Sequence, residues 1–182
     1  MTNLLGKNIL IIIPKSQFCE NELNGVRADL QQRGANIVVL SKSGQESRGM
    51  CKQKFQPDGM IVDWNKQPGI EGKYHAVIII GGKGARKSLW DDPIIPQIIT
   101  DHYRMGSIVG AIGTAVVVLV KASMVRGEMP MPEDDATRRE LEKFNVVCTD
   151  VSVTSVANVV LGRDENSIRE FSQTIIRLIE TQ

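Results

Sequence analysis

Short runs of β-branched and aliphatic residues alternate with segments of helical periodicity along this chain, and this alternation restricts the possible folds strongly. Residues 8–13 and 76–80 are continuous apolar runs, which is typical of strands covered on both faces of a parallel sheet. Residues 20–33 and 167–179 carry their apolar side chains at helical spacing. The pattern predicts an α/β fold in which a mostly parallel central sheet lies between two layers of helices.

The other predicted elements follow the same alternation. A helix begins at Asp91-Asp92-Pro93, because an acidic cap followed by proline favours a helix start. A polar excursion, residues 41–72, contains one short extended piece at 60–62. The further predicted strands are 37–40, 109–112, 146–148, 151–154 and 158–161, and the further helices are 115–120 and 136–144. With 182 residues and 42% hydrophobic side chains, we expect a single domain, residues 1–182, around one sizeable core.

Composition narrows the partners and the compartment. The formal charge is only +1, from 22 basic and 21 acidic residues, so the expectation is no nucleic acid and no membrane as partner. Cys19, Cys51 and Cys148 are an odd set without C-x-x-C spacing, which argues against a disulfide framework or a zinc site. We therefore expect a cytoplasmic protein with no cofactor and no metal.

The segment 107–120 carries the main functional signal. It predicts a buried strand, a sharp turn with Gly113 at its crest, and a helix apolar on every side. Such a turn places its crest residue at the carboxyl edge of a sheet, beside free N–H groups of a helix start. Gly113 offers no side chain there. Gly81 and Gly82 end a strand that reaches the same edge, so with Thr114 they predict a pocket for a small anionic or carbonyl ligand.

Several motifs together resemble the ThiJ/PfpI superfamily: AVIIIGG, the run GSIVGAIGTAVVVL and the late DVSVTS. The resemblance implies a flavodoxin-like three-layer sandwich related to class I glutamine amidotransferases, and a homodimer. It also implies a nucleophilic cysteine at the crest, where this chain has Gly113 followed by Thr114. The acidic residue that the family places after its first strand aligns with Cys19, and Glu20 and Glu22 lie off that register.

Cys19 and Thr114 are the candidate catalytic residues, and each has a structural alternative. Cys19 is either a relocated thiol, its pKa lowered by a helix N-terminus, or a buried cysteine filling the room that the acid left. Thr114 needs an adjacent base to act as a nucleophile, and neither His75 nor His102 is well placed, so helix capping is its alternative role.

Three functions remain open. The favoured one is a non-catalytic ligand-binding, regulatory or stress-related protein with a pocket at Cys19, Gly81, Gly82, Gly113 and Thr114. The second is a divergent hydrolase or lyase, similar to a peptidase, amidase or glyoxalase, that uses Cys19 as its thiol. The third is a protein-interaction module that contacts its partner through the 41–72 excursion.

Overall fold

A computed structural model describes residues 3–182. The strands are β1 (Asn8–Ile12), β2 (Asn36–Ser41), β3 (Ser47–Arg48), β4 (Lys54–Phe55), β5 (Gly59–Met60), β6 (Ala76–Ile79), β7 (Ile108–Ile112), β8 (Glu128–Pro130), β9 (Val147–Thr149), β10 (Val153–Val156) and β11 (Val159–Gly162). The helices are α1 (Glu20–Gln31), α2 (Ala85–Ser88), α3 (Ile95–Arg104), α4 (Val116–Lys121), α5 (Asp135–Leu141) and α6 (Ile168–Glu180). Short 3-10 turns occupy Ile61–Lys66, Gly113–Ala115 and Glu165–Ser167.

Seven strands form the central sheet, in the order β10-β11-β7-β6-β1-β2-β5. Every neighbouring pair in this sheet is parallel except β10 and β11. β1 is an interior strand, with Ile9 opposite Ile37 of β2 on one side and Ala76 of β6 on the other. The predicted mostly parallel sheet is therefore confirmed.

Helices cover both faces of the sheet. Successive side chains of β1 point to opposite faces, so Ile9 and Ile11 join one apolar cluster while Leu10 and Ile12 join another. The first cluster includes buried side chains of α1 and α6, and the second includes those of α3 and α4. This is the three-layer α/β sandwich that the sequence predicts.

The edges of the sheet differ from the prediction. The piece at 60–62 is not extended throughout, because β5 pairs with only two residues of β2 and the chain then turns into a 3-10 segment at Ile61. The strand predicted at 151–154 lies at Val153–Val156, where it pairs antiparallel with β11 across a tight turn at Ala157, φ 53°. Among residues 3–182, no helix is both long and apolar enough to cross a membrane.

Candidate functional site

The site lies at the carboxyl end of β7, where the chain turns sharply into α4. Gly113 is the crest residue, with a φ of 63° in the left-handed region that favours glycine. β7 is buried along its whole length, and residues 116–120 of α4 are buried as well. The crest is therefore held by apolar packing on both sides, and its position is set by the core.

A carboxyl group faces the crest. Glu22, in the first turn of α1, is only 4% exposed, and its Oε1 accepts a hydrogen bond from the Gly81 N–H at 2.9 Å. Its Oε2 lies 2.6 Å from the position that a Cβ on Gly113 would occupy. The expectation that Cys19 aligns with the family's acidic residue, and that Glu22 is off register, is therefore wrong: Glu22 is the acid beside the crest.

The Glu22 carboxyl is mostly protonated at neutral pH. Burial raises its pKa from 4.5 to about 8, and the hydrogen bond from Gly81 offsets only part of that effect. At pH 7 the carboxyl carries a proton, so it can donate a hydrogen bond as well as accept one. The sequence did contain a signal for this burial, because Glu22 precedes the core residue Val26 by four positions on one helix face.

The glycine pair approaches its own chain closely. A Cβ on Gly82 would lie 2.3 Å from the Gln17 carbonyl oxygen, and one on Gly81 would lie 2.8 Å from the Ile112 carbonyl oxygen. The Gly81 N–H donates to Glu22 and the Gly82 N–H donates to Thr114 Oγ1 at 3.0 Å. The prediction that these N–H groups are available to an anion is therefore wrong, because both already have acceptors.

The Thr114 side chain joins the turn after β7 to the glycine pair after β6 through hydrogen bonds. Besides accepting from the Gly82 N–H, its hydroxyl donates to the Gly82 carbonyl oxygen at 2.8 Å. It forms no capping hydrogen bond to the helix that follows, so the expected capping role is wrong. A hydroxyl held in this way already donates its hydrogen bond to a backbone acceptor. His75 and His102, the two possible imidazole bases, both lie outside the cavity at the crest.

Cys19 lies beside Glu22 but is not activated. It precedes α1 directly and is 6% exposed, and its N–H donates to the Gly81 carbonyl oxygen at 2.9 Å. Burial, reinforced by Glu22, raises the pKa of its thiol from 9.0 to about 12. Of the two alternatives for Cys19, the raised pKa favours the buried structural cysteine over the relocated thiol, because desolvation of a buried thiolate outweighs the helix N-terminus.

A cavity of about 280 Å³ opens above the crest. Of the predicted pocket residues, it brings together Cys19, Gly82, Gly113 and Thr114, whereas Gly81 lies behind them and is not part of its lining. Most of the remaining wall comes from segments far apart in the chain, which sequence reasoning did not bring together with the crest. The additional lining residues are Glu22, Met50, Lys83, Pro132, Glu133, Asp134, Arg163, Asp164 and Glu165.

The acidic run 133–135 has a structural role at the rim. Asp134 caps α5, since its Oδ2 accepts from the Thr137 N–H at 2.8 Å and from the Thr137 hydroxyl at 2.6 Å. Within residues 3–182, no group of three or more His, Cys, Asp or Glu side chains is arranged to hold a metal ion.

Thiol labelling provides a direct check on Cys19. We expect iodoacetamide at pH 8 to modify Cys51 readily, because its side chain is exposed. Cys19 should react at least roughly 100-fold more slowly, because only the thiolate attacks and burial suppresses its formation. Peptide mass spectrometry over time measures both rates in the same sample, with Cys51→Ser as the control for assignment. A Cys19 that reacts as fast as Cys51 would contradict the raised pKa.

The mostly parallel sheet is covered by helices on both faces, which defines a flavodoxin-like protein. At its carboxyl edge a strand, a glycine crest and an apolar helix follow one another, at the position where a nucleophile elbow is usual. The DJ-1/PfpI family profile matches residues 7–178. The chain belongs to the DJ-1/PfpI family.

Individual relatives agree with this assignment. An uncharacterized protein of Methanocaldococcus jannaschii is 26% identical over 182 residues, which is 98% of this chain and 85% of that protein. A ThiJ/PfpI domain protein from Brachyspira murdochii superimposes with a TM-score of 0.84 at 19% identity, over 97% of this chain and 99% of the other. Drosophila melanogaster DJ-1beta superimposes with a TM-score of 0.80 at 19% identity, over 98% and 92%. The two solved structures show the shared fold.

Proposed function

We propose that this chain is a non-catalytic member of the DJ-1/PfpI family that binds a small carbonyl compound above Gly113 in a binding or regulatory role. The observation that carries the proposal is the buried carboxyl of Glu22, whose Oε2 faces a crest without a side chain. Its raised pKa supports the proposal. A protonated carboxyl donates a hydrogen bond to a carbonyl oxygen. The space that a nucleophile's side chain would fill is left for the ligand itself.

Each possible nucleophile near the crest has a reason not to react. Position 113 has no side chain, and the Thr114 hydroxyl donates to a backbone carbonyl. The Cys19 thiol stays protonated at neutral pH because its pKa is raised to about 12. Covalent catalysis needs a nucleophile activated by a base or by a lowered pKa. These residues support binding over hydrolysis or lysis.

A carbonyl ligand fits the cavity better than an anion. The glycine N–H groups that an anion would need donate elsewhere in the protein. The wall also carries four acidic side chains besides Glu22 but only two basic ones, so an anion meets repulsion.

Ligand-induced stabilisation tests the proposal with glycolamide, a small neutral amide. We expect millimolar glycolamide to raise the melting temperature of the wild type, because ligand that binds only the folded state stabilises it. Gly113→Ala should lose this shift, since the added Cβ would fill the space beside Glu22. Gly127→Ala is the matched control: it has a similar φ of 79° and nothing within 4 Å of the added Cβ. Equal shifts in the three proteins would contradict the proposal.

The non-catalytic part of the proposal needs its own assay. We expect no turnover of peptide, glyoxal or amide substrates by the wild type. Turnover that Cys19→Ala abolishes would instead establish the hydrolase or lyase alternative and would overturn the proposed function.

An interaction module, with a homodimer as the simplest assembly, is the remaining candidate. The observation that favours it is the exposure of Met50, Met60 and Val62 in the 41–72 excursion, where apolar side chains face solvent. Sedimentation of the wild type against Met60→Ser/Val62→Ser tests this role. An unchanged oligomeric state would count against assembly through this surface.

A further inference from the structure

The wall of the cavity above Gly113 carries an excess of negative charge. With Glu22 neutral, the carboxylates of Glu133, Asp134, Asp164 and Glu165 face only two cations, Lys83 and Arg163. Two formal negative charges therefore remain unbalanced around a space of about 280 Å³. This excess of negative charge favours a cation over a neutral molecule and a neutral molecule over an anion.

Arg163 is already neutralised by its own neighbours. Its Nη1 donates to Asp150 Oδ1 at 2.8 Å, its Nη2 lies 3.9 Å from Glu133 Oε1, and its Nε lies 3.8 Å from Asp164 Oδ2. An anionic ligand would have to compete with three carboxylates for this guanidinium. Lys83, the other cation, has an exposed side chain at the mouth, where water and salt weaken its field.

Two of the four carboxylates have structural partners, and two are open to a ligand. Asp134 caps α5, and Asp164 Oδ1 accepts from the Asn166 N–H at 2.9 Å. Glu133 is two-thirds exposed, and its ion-pair partner within residues 3–182 is Arg163, at the edge of ion-pair distance. Glu165 accepts one hydrogen bond, from the Asn21 amide at 2.8 Å, through Oε2. The spare oxygens of Glu133 and Glu165 therefore stand at the rim of the cavity as acceptors.

A ligand held by Glu22 at the bottom of the cavity would present its other end to this rim. Glu22 is buried, it uses Oε1 for the Gly81 N–H, and its Oε2 lies next to the empty position above Gly113. The two ends of the cavity would therefore bind different groups of the ligand. The bottom suits a carbonyl oxygen, and the rim suits a positively charged N–H donor. A volume of about 280 Å³ holds about nine water molecules at ~30 Å³ each, which suits a short molecule.

We propose that the ligand of this cavity is a small amino-carbonyl compound, whose carbonyl oxygen meets Glu22 and whose ammonium group lies between Glu133 and Glu165. The inference rests on the proposed function, and it adds the charge of the ligand and the residues that recognise it. It also replaces the anionic ligand expected from the glycine pair with a cationic one.

Three amides of nearly equal size separate charge from carbonyl binding: glycinamide is cationic, glycolamide is neutral and oxamate is anionic. Each is titrated into the full chain at pH 7 and low ionic strength, and the dissociation constant is measured by calorimetry or NMR. We expect glycinamide to bind roughly tenfold more tightly than glycolamide, and oxamate to bind most weakly, because the rim attracts a cation across a short distance. The preference for glycinamide should be smaller at 0.5 M salt, because the screening length is then only roughly a few ångströms.

Charge-neutralising variants assign the preference to the rim. In Glu133→Gln/Glu165→Gln we expect the glycinamide and glycolamide dissociation constants to become about equal, since the two carboxylates with spare oxygens are removed. The matched control is Glu128→Gln/Asp135→Asn, which removes the same charge from exposed acids outside the cavity lining and should keep the preference.

The outcomes separate this inference from the proposed function. If glycolamide binds and Gly113→Ala abolishes its binding, but glycinamide is no tighter, the cationic ligand is overturned while the carbonyl site stands. Tightest binding by oxamate, or a preference that survives in the Glu133→Gln/Glu165→Gln variant, overturns the inference as well. If no amide binds in a way that Gly113→Ala changes, the proposed function falls and the inference falls with it.

Discussion

Replacing Gly84 with alanine is expected to destabilise the protein by about 3 kcal/mol or more, because the added atom has no room. The Cβ would lie 1.7 Å from the Ser16 carbonyl oxygen and 3.2 Å from the Pro14 Cβ. The first of these is a backbone atom that no side-chain rotation can move. Equilibrium unfolding in urea, followed by circular dichroism, measures the loss.

Gly127→Ala separates this clash from backbone strain. Gly84 has a φ of −74°, which alanine adopts freely, so its predicted loss comes from contact alone. Gly127 has a φ of 79° and open space around its Cβ position, so alanine there should cost only about 1 kcal/mol. If Gly84→Ala and Gly127→Ala lose similar amounts of stability, the loop around Ser16 moves to make room for the added atom.

The Gly84 contact matters for the site because it joins the loops on which the cavity is built. The Gly84 N–H donates to the Gln17 carbonyl oxygen, and the Cys19 N–H donates to the Gly81 carbonyl oxygen. The loop after β1 therefore lies directly on the loop after β6. We expect a partly folded Gly84→Ala protein to lose binding at the Gly113 cavity along with its stability.

The second large effect is a pH-dependent difference between the wild type and Glu22→Gln. The folded pKa of Glu22 is about 8 and its unfolded value is about 4.5. Between these values the folded state holds a proton that the unfolded state has released, so wild-type stability falls as pH rises from 4.5 to 8. At about 1.4 kcal/mol per pKa unit, the total effect is a few kcal/mol.

Urea unfolding at pH 5, 6, 7 and 8 measures this difference. Glu22→Gln keeps an oxygen for the Gly81 N–H but does not titrate. We therefore expect its free energy of unfolding to increase relative to that of the wild type at each step up in pH. Glu46→Gln, a substitution of an exposed acid, controls for general charge effects and should track the wild type. A constant difference between Glu22→Gln and the wild type across this range would mean that Glu22 is ionised throughout.

The core elements were predictable from the sequence because their signals are local. The continuous apolar runs of β1 and β6 can be buried on both faces only in a covered parallel sheet. The predicted crest at Gly113 likewise follows from a strand, a small residue and an apolar helix in direct succession. The short edge strands were less predictable, since β5 depends on a two-residue pairing with β2 that its own residues do not encode.

The chemistry of the site was less predictable, because it depends on which residues of distant loops meet. The turn from β1 into α1 decides whether Cys19 or Glu22 faces the crest, and motif alignment chose the wrong one. Glu133 and Glu165 line the cavity from segments more than 100 residues away from α1. No local sequence pattern therefore indicates that they lie near Glu22. For Glu22 alone, its spacing from Val26 was a usable signal.

The left-handed backbone at Gly113 also limits which residues position 113 can hold. Glycine accepts a φ of 63° at no steric penalty, so its presence relieves strain of about 1 kcal/mol that other residues would suffer there. Any side chain placed at position 113 would meet that strain and would also have to displace the Glu22 carboxyl. The backbone and the facing side chain therefore both favour glycine at the crest.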